Sequence, residues 1–256
     1  MKEEILYNRD YFESDAHTFS NIERASLYFE PMVHSFNKLA KSLRTLDIGC
    51  AKGFLVSLFH SFGAESYGVD ISDYAISRSP EEVKKNISIL NIEKEKLPFP
   101  DNYFDLLTTI EVLEHLNPSS TDHLLKEIKR VLKPNGYICV ILPTKNEEKG
   151  DATHINLQSR FSWIGLFREH NFLLANNEKK LLKKESQKYI WDKKTYFIKL
   201  YRGLLKDTPP SSRLGKFLTR IGKIGTTFRE LVGLYKYFFR HNHKYFDKKM
   251  ILFKKL

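Results

Sequence analysis

The sequence predicts an α/β fold, a mostly parallel seven-stranded sheet with helices on both faces. Strand-sized apolar runs alternate with helix-spaced runs through the first 175 residues. The strand-like runs are continuously apolar rather than alternating, as expected where both faces of a sheet are covered. The first of them leads at once into a turn of small residues that opens a helix.

Arg44–Ile48 is a short apolar run ending in a glycine turn, and the stretch behind it sets Leu55, Leu58, Phe59 and Phe62 at helical spacing. The unit repeats with a strand over 66–70 and a helix opening at 74–79, then strands over 87–91 and 104–110. A helix over 121–132 carries Leu124, Leu125, Ile128, Val131 and Leu132 on one face, stops before Pro134 and Gly136, and hands over to a fifth strand at 137–142. Phe161, Ile164, Leu166 and Phe167 mark another helix over 160–170, and 172–175 begins a sixth strand. The apolar run at 250–253 is read as a last strand returning to the same sheet. The chain is thus expected to be a single domain over 1–256, with a core over 1–184, a helical insertion over 185–247 and the last strand within 248–256.

In the segment LDIGCAKGF, Gly49, Cys50, Ala51 and Gly53 stand between the first strand and the first helix. Small residues let the backbone come close to a ligand, and the helix N-terminus behind them offers N–H groups and a positive dipole end to an anion. Such a turn can equally be plain punctuation. Asp70 sharpens the signal: it ends the second strand in YGVDIS, about twenty residues on, where a carboxylate accepts both hydroxyls of a ribose. Hydrogen bonds of that charged kind contribute roughly 1.5–3 kcal/mol each. Its other reading is a helix N-terminal charge ahead of Ser72 and Asp73.

With LNIEKEKLPFPDNYFD, TTIEVLEHL and KEIKRVLKPNGYICVILPT, these segments run in order over about 43–175 and resemble a class I S-adenosylmethionine-dependent methyltransferase, a Rossmann-like fold. The run GCAKG does not fit the G-x-G-x-x-G template of a nicotinamide dehydrogenase. The resemblance implies S-adenosylmethionine as cofactor and S-adenosylhomocysteine as product. It implies that Asp47 and Gly49, with Cys50, Ala51 and Gly53, shape the loop around the methionine part, that Asp70 holds the ribose and that Ile71 packs on the adenine. Asn91 and Ile92 fall where the family has an acidic residue followed by an apolar one. Asn91 replaces the acid, and its amide oxygen can still accept from the adenine amino group. Ala51 replaces a more usual glycine, and Glu111 borders the methionine part. The N-terminal YNRDYFES resembles the segment lying over the cofactor in these relatives, so Tyr11 and Phe12 are expected to close the pocket, or else to be the core-facing side of a first helix.

Methyl transfer from a sulfonium requires alignment of the acceptor and, for a hydroxyl, removal of a proton. Histidine suits that task, and two of the nine lie at the expected ligand end of the sheet: His115 in EVLEHL and His154 in GDATHINLQSRFSW. Asp151, Thr153, His154 and Asn156 resemble a D-x-T-H-x-N signature of a subgroup that acts on small molecules or sugars. His154 is therefore expected as base or acceptor-binding residue, with Asp151 or Asn156 orienting it; its other reading is a loop-ordering histidine. For His115, a histidine bonded to its own backbone neighbourhood is the competing reading. EVLEH also matches the Glu-x-x-Glu-His metal site of a small-RNA 3′-terminal methyltransferase family, but the string occurs in metal-free relatives and spacing alone identifies no fourth ligand, so no metal is expected.

The charge is unevenly distributed. Residues 1–175 hold 20 Lys+Arg against 25 Asp+Glu, a net −5, and residues 176–256 hold 22 against 6, a net +16. Over 212–240, Leu214, Phe217, Leu218, Ile221, Phe228, Leu231 and Phe238 recur at helical spacing among Arg and Lys, after a Pro209-Pro210 turn that closes an earlier helix near 195–205. A basic amphipathic helix of this kind lies in an anionic membrane interface or packs as a lid; nucleic acid is the less favoured partner, because the periodicity gathers most aromatics on one face. Cys50 and Cys139 supply neither a disulfide framework nor a four-cysteine metal site, and the start MKEEILYNRD lacks a signal peptide's apolar run. The expected location is the cytoplasm, or its periphery at the inner membrane face. The acceptor is expected to be a small-molecule, sugar or lipid-linked hydroxyl; an RNA methyltransferase and a non-catalytic cofactor-binding protein are the alternatives.

Overall fold

A computed structural model of the chain describes residues 7–13, 22–39, 42–143, 153–207 and 250–256. Seven strands form one sheet in the order β3-β2-β1-β4-β5-β7-β6. They are β1 (Arg44–Ile48), β2 (Glu65–Asp70), β3 (Ile87–Ile89), β4 (Phe104–Ile110), β5 (Leu132–Ile141), β6 (Phe172–Leu174) and β7 (Met250–Lys255). All neighbours pair in parallel except β7, which runs antiparallel between β5 and β6. The helices are α1 (Arg9–Glu13), α2 (Ile22–Leu39), α3 (Phe54–Ser61), α4 (Asp73–Ser77), α5 (Glu81–Lys84), α6 (Pro118–Val131), α7 (Arg160–Glu169) and α8 (Asn176–Asp207).

The alternation of side chains along each strand divides the core in two. Ile138 and Val140 of β5 join Leu46, Ile48 and Leu107 beneath Leu124, Leu125 and Ile128 of α6 and Trp163 and Phe167 of α7. Cys139 and Ile141 face the other way, with Leu106 and Leu252, toward Phe29, Val33 and Phe36 of α2 and Leu55, Leu58 and Phe59 of α3. Strands buried on both faces have no polar side to show, and Ile138–Ile141 of β5 accordingly reads as an unbroken apolar run. Phe253 of β7 is fully buried and stacks on Phe167, ring centroids 4.2 Å apart.

Several boundaries differ from the sequence reading. Helix α6 begins at Pro118, not at 121, because Asn117 caps it by accepting from the Ser120 N–H at 3.0 Å, with Pro118 in the first turn. The chain then enters β5 directly at Leu132, and Pro134–Gly136 sit in a register shift against β4, with Asn135 at φ 63°. Helix α2 was not anticipated. It lies against α8, where His34 stacks on Tyr189 at 4.2 Å and the Tyr189 hydroxyl donates to Glu30 Oε1 at 2.6 Å. Helix α8 runs unbroken across the expected 184/185 boundary and contains the helix expected near 195–205. The segment following β6 and preceding β7 therefore starts in helix at Asn176. The amphipathic stretch expected over 212–240, with the Pro209-Pro210 turn before it, lies outside the described residues.

Candidate active site

The ligand end of the sheet lies where β1 sends one connection toward β2 and the sheet continues on its other side into β4. Asp47 of β1 sits opposite Thr108 of β4 in the parallel register and accepts its hydroxyl at 2.6 Å. Burial pushes the Asp47 carboxyl up to about 7, the Thr108 hydrogen bond pulling it down and the nearby Asp70 charge adding to the rise.

The turn after β1 is wound from left-handed residues: Gly49 at φ 74°, Ala51 at 49° and Gly53 at 69°. Gly49 and Cys50 both donate their N–H to Val69 O, at 2.8 and 3.1 Å. Asp70 clamps the same turn, since its Oδ2 accepts from the Ala51 N–H at 2.7 Å and its Oδ1 from the Ser72 N–H at 2.9 Å. Burial pushes the Asp70 carboxyl up, and these backbone donors pull it back. The glycines prove necessary for packing as well as conformation. A Cβ on Gly49 would stand 2.3 Å from Val112 Cγ2, and one on Gly53 2.3 Å from Ile87 Cδ1. Cys50 contributes its backbone to the turn, while its thiol is buried in a small cluster with Val56 and Ile76.

Ile71 follows Asp70 half-buried, and Ile92 packs against the α6 side of the core. Asn91 uses its side-chain oxygen to close its own turn, accepting the Glu93 N–H at 3.0 Å, while its N–H donates to Glu95 Oε1 at 2.8 Å.

The N-terminal segment covers this end. Ser72 Oγ donates to Tyr7 O at 2.6 Å, and Glu13 Oε1 accepts from Lys52 Nζ at 3.3 Å and from the Tyr74 hydroxyl at 2.8 Å. Tyr7 packs edge-on against Tyr11 at 5.0 Å and against His115 at 6.1 Å, and Phe12 stacks on Tyr74 at 6.5 Å. Tyr11 thus reaches His115 through Tyr7, a residue the sequence reading did not single out.

Beyond β4, Glu111 adopts φ 54°, unusual for a residue with a side chain, and its N–H donates to Ile141 O at 2.8 Å. A single 3₁₀ turn, Leu113–His115, follows. His115 and His154 meet edge to face with ring centroids 4.5 Å apart, and Thr153 Oγ1 lies 3.0 Å from His115 Nδ1. Burial holds the His154 imidazole below the usual histidine range, and the Glu111 charge opposes that shift. Glu114 is only 1% exposed, and it offers a ligand atom within 4.8 Å of those of His115 and His154.

Asn156 departs from its expected role beside His154. Its side-chain amide donates to Thr121 Oγ1 at 3.2 Å and its side-chain oxygen accepts from Gln158 at 2.8 Å, while its N–H donates to Glu114 O at 2.9 Å. It pins the loop to the 3₁₀ turn and the start of α6, so it positions His154 through the backbone. Asp151 lies outside the described residues.

A carboxylate at the end of β2 and a left-handed small-residue turn after β1, with an imidazole pair past β4, form the arrangement expected of a nucleoside-binding α/β domain. Residues 46–140 match the family model described as a methyltransferase domain. An uncharacterized methyltransferase of Schizosaccharomyces pombe is 33% identical over 51% of this chain and 48% of its own length. The sterol 4-C-methyltransferase of Caenorhabditis elegans is 30% identical over 46% of this chain and 36% of its own. A ubiquinone biosynthesis O-methyltransferase of Pelagibacter ubique is 29% identical over 52% of this chain and 55% of its own. The chain spans about half the length of these curated relatives or less. A solved S-adenosylmethionine-dependent methyltransferase from Archaeoglobus fulgidus shares the fold, with TM-score 0.53 at 24% identity over 61% of this chain and 71% of that one.

Over residues 46–140 the chain thus matches a methyltransferase domain, on a Rossmann-like fold that it shares with a solved S-adenosylmethionine-dependent enzyme. The residues of this chain fit that cofactor. Asp70 accepts from the Ala51, Ser72 and Ile71 N–H groups, and a carboxylate's roughly four lone-pair sites leave room for a ribose hydroxyl. Among the described residues no helix is long and apolar enough to cross a membrane.

Proposed function

We propose that the chain methylates a hydroxyl on a small-molecule, sugar or lipid-linked acceptor. The observation that carries this reading is the pair of imidazoles, His115 and His154, brought 4.5 Å apart at the end of the sheet where this topology puts ligands. S-adenosylmethionine would supply the sulfonium methyl and leave as S-adenosylhomocysteine. Asp70 would hold its ribose, Ile71, Asn91 and Ile92 would border its adenine, and Asp47, the 49–53 turn and Glu111 would border its methionine part. The acceptor hydroxyl would lie against the histidine pair, which takes its proton as the oxygen attacks. Tyr7 and Tyr11 would cover the pocket and keep water out.

Relatives named for carbon and for oxygen methylation leave the accepting atom to the pocket, and the imidazole pair favours oxygen, since carbon methylation has no hydroxyl proton to remove. The net +16 over residues 176–256 supports contact with an anionic surface, and RNA methylation remains the second reading on that charge. Calorimetric titration with S-adenosylmethionine and S-adenosylhomocysteine tests the cofactor half: saturable binding lost in Asp70→Ala is expected, and no binding by folded wild-type protein would sink it. For the acceptor half, His154→Ala should lower turnover of a hydroxyl acceptor by about 10²–10⁴-fold. Unchanged turnover removes His154 from the chemistry.

A further inference from the structure

We propose that a polar stripe along α6 is the positioning element for the base of the cofactor: it clamps the segment that leaves β3 beside Asp70, and so sets which base the site accepts. The inference deepens the proposed function and rests on its reading that Asp70 holds a ribose while Asn91 and Ile92 border the base. Ile89, the last residue of β3, pairs with Asp70, and the next N–H, that of Leu90, donates to Asp70 O at 2.8 Å. The chain therefore enters residues 91–103 directly beside that carboxylate. β4 begins only at Phe104, so this segment runs outside the sheet and its polar groups need other partners.

Helix α6 and its cap supply them at regular intervals. Glu93 Oε2 accepts from Ser120 Oγ at 2.7 Å and from Asn117 Nδ2 at 3.3 Å. His123 Nε2 lies 3.2 Å from Glu95 O. Glu127 Oε2 accepts the Leu97 N–H at 2.9 Å, and Arg130 donates to Leu97 O and to Phe99 O, both at 2.8 Å. Alternate residues of the segment thus meet helix residues three or four apart, which share one face. An extended chain advances about 6.6 Å in two residues and a helix about 4.5–6 Å in three or four, so the two can stay in step.

The clamp is fixed at both ends. At the lower end Arg130 forks onto Glu127 with contacts of 3.0 and 2.7 Å, and the guanidinium holds that carboxyl below the usual carboxylate range. At the upper end Ser120 is 7% exposed, so its bond to Glu93 is made away from solvent, where such contacts count most. Glu93 is also the residue whose N–H closes the Asn91 turn, at 3.0 Å. Its carboxylate is tied to the first turn of α6 and its backbone to Asn91, so a shift of Glu93 carries Asn91 with it. Glu93 and the α6 stripe are positioning residues that act through Asn91 and Ile92. A rigid wall rejects a base whose polar atoms are exchanged, whereas a loose one adapts to it.

The test is calorimetric titration of the full chain with S-adenosylhomocysteine and with S-inosylhomocysteine, whose base carries an oxygen in place of the amino group, and thermal unfolding of the same samples. Wild-type protein should prefer the adenine compound by about tenfold or more. Glu93→Ala should lose about tenfold in affinity for S-adenosylhomocysteine, the order of one charge-assisted hydrogen bond, and little for S-inosylhomocysteine. Glu93→Gln, whose side-chain oxygen still accepts from Ser120 and Asn117, should restore the preference. Equal losses for the two ligands, as a general loosening of the fold would give, overturn the inference, and so does an unchanged preference in Glu93→Ala. Should Glu93→Ala not fold, Ser120→Ala, which removes one donor from the same carboxylate, decides by the same comparison. Wild-type protein that binds both compounds equally overturns the inference and leaves the cofactor reading standing; folded wild-type protein that binds neither refutes the cofactor reading, and the inference with it.

Discussion

Asp47 gives a prediction whose size follows from its surroundings. Its carboxyl lies in the interior of the sheet, 6% exposed, with the Thr108 hydroxyl donating to it, and burial pushes it from 3.8 up to about 7. A carboxyl raised in the folded state is protonated in both states at pH below about 4, so there it contributes no pH-dependent penalty. Between about pH 4 and 7 the unfolded chain ionises first and folding stability falls; above about pH 7 the penalty levels off. Three units at 1.36 kcal/mol each make it about 4 kcal/mol. Asp47→Asn retains an oxygen to accept from Thr108 and removes the titration. Urea unfolding of the ligand-free protein at steps from pH 4 to 8 should show the variant gaining on wild type by about 4 kcal/mol across that range. A difference that stays constant from pH 4 to 8 would refute the argument that burial perturbs this carboxyl. If Asp47 borders the methionine part as proposed, the variant should also bind S-adenosylmethionine less well.

Other residues give smaller or sharper tests. Gly49→Ala forces a Cβ to within 2.3 Å of Val112 at φ 74° and should cost about 2–4 kcal/mol in thermal unfolding, left-handed strain adding to overpacking. Ala51→Gly relieves a left-handed alanine and should be neutral to stabilising by up to about 1 kcal/mol; a clear loss of stability would mean the methyl packs usefully. Phe253→Ala removes a fully buried ring stacked on Phe167 and should cost about 3–5 kcal/mol by urea unfolding, a small loss indicating that β7 is dispensable. Cys50 and Cys139 are both buried, with burial pushing the Cys139 thiol up to about 12, so neither should react with a disulfide reagent until the protein is unfolded, whereupon both should.

What the sequence disclosed follows a physical division. Strand β5 was legible because Ile138–Ile141, covered on both faces, is an uninterrupted apolar run, whereas β1, β2 and β4 carry buried polar residues such as Asp47, Ser66 and Thr108 inside theirs. Asp70 was legible because its place depends only on the strand it ends. Helix α2 was overlooked although Ala25, Phe29, Met32, Val33 and Phe36 keep helical spacing, for Pro31 and His34 interrupt the run. The start of α6 was misplaced because Asn117-Pro118 reads as a loop until its capping bond is seen. For Gly49 and Gly53, the reason glycine is needed lies partly in Val112 and Ile87, contacts made across the fold and invisible in local spacing. The same holds at the acceptor end. Both histidines were named, but that they touch, and that Asn156 serves Thr121 and Glu114, are facts of tertiary structure.

Strands β6 and β7 pair antiparallel, Leu174 against Phe253, and the Ala175 N–H donates to Leu252 O at 2.9 Å. Topologically they form a hairpin whose connection has been drawn out into residues 175–249, so that both ends of this stretch are seated side by side on the strand pair. The stretch enters and leaves the sheet at β6 and β7, on the far side of β5 from β1, β2 and β4. The strong positive charge it carries can therefore change under selection without altering the strands that bear Asp47 and Asp70.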